Sequence, residues 1–261
     1  MKNNKFEKLN KYLHTLGKQG ICLAFSGGID SALLLVLCKD LNITAVIFSS
    51  PLQTEDEINF TAEFCKKYNV NQKIITLNPL EDEKIVLNPK ERCYYCKSLF
   101  FQKIKEFAQE KHLANIIDGT NFDDLKAYRP GLKALKELGI LSPFALFKIT
   151  KEEIRTYAKN LGLEIYNKPS TPCLATRFPY NTRLDIVAIE RVKNGEKYLK
   201  SLGFTENRVR NHANTARIEI PQGNFTKFIH NAKEIATEFK RLGFSYVTLD
   251  MEGLRSGSMD L

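Results

Sequence analysis

Between the apolar run Leu23-Ala24-Phe25 and a leucine-rich stretch ending at Leu37, the chain reads Ser26-Gly27-Gly28-Ile29-Asp30-Ser31. Adjacent glycines let the main chain turn sharply and bare its amide groups. Hydroxyls and a carboxylate are then added at the positive end of the following helix. Such a nest suits a pyrophosphate. No Gly-Lys-Ser/Thr follows, so it is not a Walker loop, and the spacing is not that of the dinucleotide fingerprint. The plain alternative is a capped β-to-α turn. A second stretch, Asp118-Gly119-Thr120-Asn121-Phe122-Asp123-Asp124, follows another apolar run. Its carboxylates and Asn121 are hard oxygen donors of the kind Mg²⁺ takes, or else a solvated Asx-rich turn.

Six cysteines supply the other chemistry. Cys93 and Cys96 form a CxxC read as lying just before a helix, and Cys173 stands in "TPCLATRF". Cys22 falls in an apolar strand, Cys38 in the leucine-rich helix, and Cys65 shares a helical face with Ile58 and Ala62, so those three read as packing. Structural zinc usually takes four protein ligands. Three cysteinates with one open position suit a [4Fe-4S] cluster better, with zinc, plain thiols or a disulfide as the other readings. Of His14, His112, His212 and His230, none is assigned as a ligand. In a candidate hairpin over 208–220, Arg208 and Arg210 share one face by the period of two, as do Arg217 and Glu219 on the return. Guanidinium groups match phosphate and carboxylate oxygens, while internal ion pairs on a solvated strand face are the plainer reading.

The elements that must position these residues alternate. Apolar runs at 21–25, 43–49, 73–77 and 115–119 are interleaved with helical patterns at 30–40, 55–68 and 97–111. This predicts a parallel sheet covered on both faces, with ligands beyond the carboxyl ends of its strands. A helix over 150–161 leads into a loop carrying Pro169, Pro172 and Pro179. A boundary near 180 is therefore expected, giving domains 1–180 and 181–261. The second reads as a helix (184–202), the hairpin, a helix (224–242) and a strand (246–250), a small α+β domain. Of the 261 residues 43% are hydrophobic, enough for a substantial core. The net charge of +9 attracts anions, but Lys and Arg form no polybasic block, which argues against nucleic acid as the partner. No signal-peptide core or membrane-length apolar run is evident, so a soluble cytoplasmic protein without a disulfide framework is expected. Phe-rich stretches at 98–107 and 224–235 repeat at helical spacing and read as core or subunit contact.

"SGGIDS" after the first strand resembles the PP-loop of the ATP pyrophosphatase superfamily, which implies a Rossmann-like domain that cleaves ATP to AMP and pyrophosphate. By that resemblance Ser26, Gly27, Gly28, Asp30 and Ser31 hold the pyrophosphate half of ATP with Mg²⁺, and Gly119, Thr120, Asn121, Asp123 and Asp124 complete the nucleotide site. "YRPGLKAL", "SPF", "PCLATRFPY", "RVRNHANTARIEI" and "VTLDMEGLRSGSM", spread over nearly the whole chain, are similar to the LarE family. That family adenylates and thiolates pyridinium-3,5-biscarboxylic acid mononucleotide on the way to a nickel-pincer nucleotide cofactor. The resemblance implies ATP, Mg²⁺ and, for the three-cysteine branch, a [4Fe-4S] cluster on Cys93, Cys96 and Cys173. It also implies catalytic roles for Cys173, Asp30, Glu196 and Glu219, substrate contacts from Arg177, Arg208, Arg210 and Arg217, a sulfide or other sulfur donor, and homo-oligomers. The sequence departs from the family pattern at Ala213-Asn214, Leu254 and Lys227. A PP-loop tRNA thiolase with a three-cysteine cluster is the alternative enzyme, and a non-catalytic nucleotide or metal sensor the alternative class.

Overall fold

A computed structural model describes residues 3–126, 128–169, 171–255 and 257–259. In chain order the elements are α1 (Asn3–Gly17), β1 (Ile21–Ala24), α2 (Ile29–Cys38), β2 (Ile43–Ser49), α3 (Glu55–Lys67), β3 (Asn71–Thr76), α4 (Glu83–Val86), α5 (Arg92–Glu110) and β4 (Asn115–Ile117). They continue as α6 (Gly131–Glu137), α7 (Pro143–Leu146), α8 (Lys151–Asn160), α9 (Ile186–Ser201), β5 (Arg208–His212), β6 (Thr215–Glu219), α10 (Phe225–His230), α11 (Ala232–Arg241) and β7 (Tyr246–Leu249). The chain divides into two compact units, one holding the residues up to Pro79 and Glu91–Thr171, the other Leu80–Lys90 and the residues from Pro172 onward.

In the first unit β1 to β4 form a parallel sheet of order β3-β2-β1-β4. Successive side chains of β1 point to opposite faces. Ile21 and Leu23 join a core with Leu33 to Leu35, Phe144 and Ile154, whereas Cys22 packs with Val46, Phe101 and Ile104. Both faces of β1 are thus covered, which is why it reads as a continuous apolar run, whereas the edge strand β3 is largely exposed. The chain moves outward from β1 to β2 and β3, then returns to β1's other side as β4. That reversal creates a crevice at the carboxyl ends of β1 and β4, where the glycine turn and the Asp118–Asp124 stretch both emerge.

The second unit carries a sheet of order β5-β6-β7, antiparallel between β5 and β6 and parallel between β6 and β7. Val209, Ala216, Ile218, Phe239 and Phe244 fill its core. The single boundary expected near 180 gives way to three crossings, after Pro79, Lys90 and Thr171. Asn88, wholly buried, donates through its side chain to the carbonyls of Phe178 and Pro179, and Leu184 donates its amide to Val86, so the 80–90 segment belongs with the later residues. The single helix expected over 224–242 is two, interrupted at Asn231, whose side-chain amide bonds back to the Lys227 carbonyl.

The hairpin closes with a two-residue turn, Ala213-Asn214, and Ala213 sits at φ +53°. A left-handed conformation costs an L-residue about 1 kcal/mol that glycine avoids. Ala213→Gly is therefore expected to stabilise the second unit by roughly 0.5–1 kcal/mol, read as a higher urea midpoint with unchanged slope. An unchanged or lower midpoint would contradict the strain assigned to this turn.

Candidate active site

Gly27 has φ +71°, and a Cβ there would stand 2.9 Å from the Thr61 methyl. Only glycine makes this bend against α3. The loop braces itself. Ser26 and Ser31 hydroxyls lie 3.1 Å apart, Ser31 Oγ donates to the Gly28 carbonyl and accepts from the Ser26 amide, and the Gly28 amide leans on Ser26 Oγ. Ser31 is buried and Ser26 exposed, so Ser31 shapes the turn while Ser26 faces outward. Gly119 is fixed by a second close approach, since a Cβ on it would meet the Ser31 amide nitrogen at 2.8 Å. The loop after β4 thereby packs directly on the start of α2.

The acidic stretch is largely spent on that packing. Asp118 accepts from the hydroxyls of Thr120 and Ser142 at 2.6 Å each, with Lys97 at 3.8 Å. Asp124 accepts the Asn121 amide and pairs with Arg129 at 2.9 Å, and Asp123 accepts the Lys151 amide and the Lys126 ammonium. Asn121 returns a side-chain hydrogen bond to Asp30, which also receives the Lys151 ammonium. Two cavities open here. One of about 210 Å³ is lined by Ser26 to Asp30, Glu57, Lys151, Lys168, Pro169 and Thr171. The other, about 340 Å³, shares Ser26 and Asp30 and adds Lys97, Arg129, Gly119 and the stacked rings of Phe48 and Phe100, 4.3 Å apart. The first offers amides and ammonium groups to an anion, and the second offers apolar faces with cations at the rim, a combination that suits a nucleotide. Lys97, Arg129, Lys151 and Lys168 escaped sequence reading, because no local pattern marks a lysine as facing a cavity made by distant strands.

Cys93 and Cys96 lie inside the first turns of α5 rather than before it, because Arg92 already has helical hydrogen bonding. Three residues apart, they share a helix face. Cys93 and Cys173 are exposed and Cys96 half-buried, while Cys22, Cys38 and Cys65 are buried. Burial pushes those three thiols up, to about 12, 12 and 11. Brief alkylation of the native reduced apoprotein at pH 8 is expected to label Cys93, Cys96 and Cys173, and the buried set only after denaturation. Native labelling of Cys22 or Cys38 would refute this partition. Among the described residues no three His, Cys, Asp or Glu side chains converge to hold a metal ion.

In the second unit the sequence-nominated charges do come together, though chiefly with one another. Arg177, 3% exposed on its side chain, forms a fork with Glu196 at 2.7 and 3.2 Å, and Glu196 also accepts the Val209 amide. Glu219, wholly buried, receives Arg210 at 2.8 Å, Arg217 at 3.2 Å and the Ser258 hydroxyl at 2.6 Å. Arg177 further donates to the Pro172 carbonyl and Arg210 to the Thr176 carbonyl, so both guanidinium groups rivet the loop that carries Cys173. Arg208 and Arg217 keep partial exposure. Burial, then the charges of Arg210 and Arg177, lowers the pKa of Arg208. A concentration of positive charge at this strand pair is the result, and it would be relieved by an anion.

A parallel sheet whose order reverses at a glycine turn, with cation-lined cavities beside that turn, defines a nucleotide-handling α/β domain of the PP-loop type. Residues 1–88 match the NAD synthase family. Over its whole length the chain is 35% identical to an uncharacterised protein of Synechocystis, covering 98% of it, and over 98% of its length it is 38% identical to one of Methanocaldococcus jannaschii, covering 96%. It is also 38% identical, over 93% of its length and 89% of the relative, to pyridinium-3,5-bisthiocarboxylic acid mononucleotide synthase of Lactiplantibacillus plantarum. The chain belongs to the LarE family. No described helix is long and apolar enough to cross a membrane.

Proposed function

We propose that this protein is an ATP-dependent sulfur transferase that adenylates the carboxylates of pyridinium-3,5-biscarboxylic acid mononucleotide and converts them to thiocarboxylates. The observation that carries the reading is the 38% identity, over 93% of the chain, to a synthase of that product, combined with a glycine turn whose amides border a cation-lined cavity. In the first half-reaction a substrate carboxylate oxygen attacks the α-phosphorus of ATP, and the bond to the leaving pyrophosphate breaks. Loop amides and nearby ammonium groups stabilise charge on the departing oxygens, and Asp30, with Asn121, is the candidate to hold Mg²⁺. Of the four arginines nominated for the substrate, Arg208 and Arg217 keep exposed surface, and they serve as anchors for its phosphate or second carboxylate. Arg177, Arg210, Glu196 and Glu219 act as positioning residues that fix the Cys173 loop.

In the second half-reaction a sulfur nucleophile attacks the acyl carbon, AMP leaves, and a thiocarboxylate forms. Cys93 and Cys96, one helical turn apart and reachable from solvent, have the soft donors an iron-sulfur cluster needs, with Cys173 as the third. Such a cluster would supply iron-held sulfide as the sulfur source. Without it, the Cys173 thiolate would form a thioester, and loss of its α-proton with cleavage of the Cβ–S bond would leave dehydroalanine. A small nucleotide substrate, a sulfide-type donor and a homo-oligomeric assembly complete the reading.

The test combines pyrophosphate release with mass spectrometry of product and protein. Pyrophosphate should appear only when ATP and the mononucleotide are both present, together with thiocarboxylate. A chain lighter by about 34 Da, one H₂S, marks use of cysteine sulfur, and an unchanged chain marks the cluster route. Absence of substrate-dependent pyrophosphate release would overturn the function.

A further inference from the structure

We infer that Asn88 is a positioning residue for sulfur transfer, holding the far end of the turn that begins at Cys173. The inference deepens the sulfur-transfer reading and rests on it for its kinetic consequence. Leu174–Arg177 form a single 3₁₀ turn with Cys173 at its entry and Phe178 at its exit. The turn is tied within itself, since the Thr176 amide donates to the Cys173 carbonyl and the Phe178 amide to that of Ala175. In so short and tight a turn, a shift at the exit is passed to the entry. Arg177 and Arg210 hold the start and the middle, at the carbonyls of Pro172 and Thr176. The exit has another anchor. The side-chain NH2 of Asn88 donates to the carbonyls of Phe178 at 3.3 Å and Pro179 at 2.8 Å, and the Asn88 carbonyl accepts the Asn181 amide at 3.0 Å.

The place suits asparagine in particular. Asn88 follows α4 at φ +53°, where its amide closes the helix on the Ile85 carbonyl, and asparagine enters this left-handed conformation more readily than most residues with a side chain. The residue has no exposed surface, and its Oδ1 is buried without a hydrogen-bond partner among the described residues. An amide oxygen left unmet in the interior is costly, so what recommends the residue is the pair of donors on its nitrogen. Its backbone is itself braced, because two residues earlier the Val86 carbonyl accepts the Leu184 amide at 2.7 Å. Asn88 therefore supplies a firm, neutral post for the exit of the turn, while the charged anchors act on its start and middle.

Asn88→Gly keeps the backbone conformation and Asn88→Asp keeps the shape, and both remove the two donors. Hydrogen exchange of the full-length protein, followed by mass spectrometry, is expected to run about tenfold faster over 174–184 in both variants, with β5 and β6 unchanged. In single-turnover mixtures thiocarboxylate formation should fall roughly tenfold to a hundredfold, the usual effect of a reacting group displaced by about 1 Å, while substrate-dependent pyrophosphate release stays within about threefold. The split should persist at saturating mononucleotide. The assignment is overturned if Asn88→Gly exchanges over 174–184 as wild type does, if the two half-reactions fall in parallel, or if neither variant folds, which would make Asn88 a determinant of the fold alone. A wild type without substrate-dependent pyrophosphate release, but with protection over 174–184 that depends on Asn88, would instead remove the proposed function and leave the anchor standing.

Discussion

Cys173→Ala is expected to lower thiocarboxylate formation by a thousandfold or more while substrate-dependent pyrophosphate release persists. The separation follows from how the loop is held. Thr176 bonds through its amide and hydroxyl to the Cys173 carbonyl, and Arg177 bonds to the Pro172 carbonyl, so the anchors of this segment are backbone oxygens. Alanine keeps every one of them and removes only the exposed sulfur. Parallel measurement of pyrophosphate and thiocarboxylate in single-turnover mixtures provides the check. Undiminished product would exclude Cys173 both as donor and as ligand of the donor, whereas loss of both half-reactions would mean that the thiol also supports adenylation.

Glu219→Ala should produce the largest loss of stability in the second unit, roughly 3–5 kcal/mol by the usual effect of breaking a buried ion pair. Glu219 has no exposed surface and satisfies Arg210, Arg217 and the Ser258 hydroxyl at once. Truncation strands the Arg210 guanidinium, itself 3% exposed, with the Thr176 carbonyl as its main remaining partner. With total stabilities of single domains at about 5–15 kcal/mol, such a loss approaches the unfolding threshold. Because the protein has no Trp, urea unfolding is best followed by far-UV circular dichroism. Glu219→Gln retains one oxygen that can still accept from the Ser258 hydroxyl and Arg217 but turns an NH2 donor toward Arg210, and should cost about half as much. Freed of its partner, Arg210 no longer fixes Thr176 firmly, so sulfur transfer should fall further than adenylation in both variants. Equal stability of Glu219→Ala and wild type would show that the buried cluster is not what holds this sheet face.

Much of the first unit was legible because its signals are local. Apolar runs of strand length between helical periods marked β1 to β4 and their parallel pairing, though not their order, and two adjacent glycines before a leucine-rich helix marked the turn. Cys22, Cys38 and Cys65, read as packing residues, are buried, since each lies in an element that packs into one of the two cores. The long helix expected over 224–242 failed at Asn231, where apolar periodicity continues but a side-chain amide competes for a main-chain carbonyl.

The sequence by itself determined the α/β class, the glycine turn and which three cysteines pack in the core, because each depends on residue type and short spacing. Tertiary structure alone decided which charges serve a ligand and which serve the fold. Arg177 and Arg210 look like substrate anchors in the sequence, yet their guanidinium groups are buried against Glu196 and Glu219 and grip the Cys173 loop. Lys151 and Lys168 look like surface lysines, yet both border the cavity at the turn. The physical reason is that a charge takes its role from what surrounds it, and here the partners lie tens of residues away, brought close only when the elements pack.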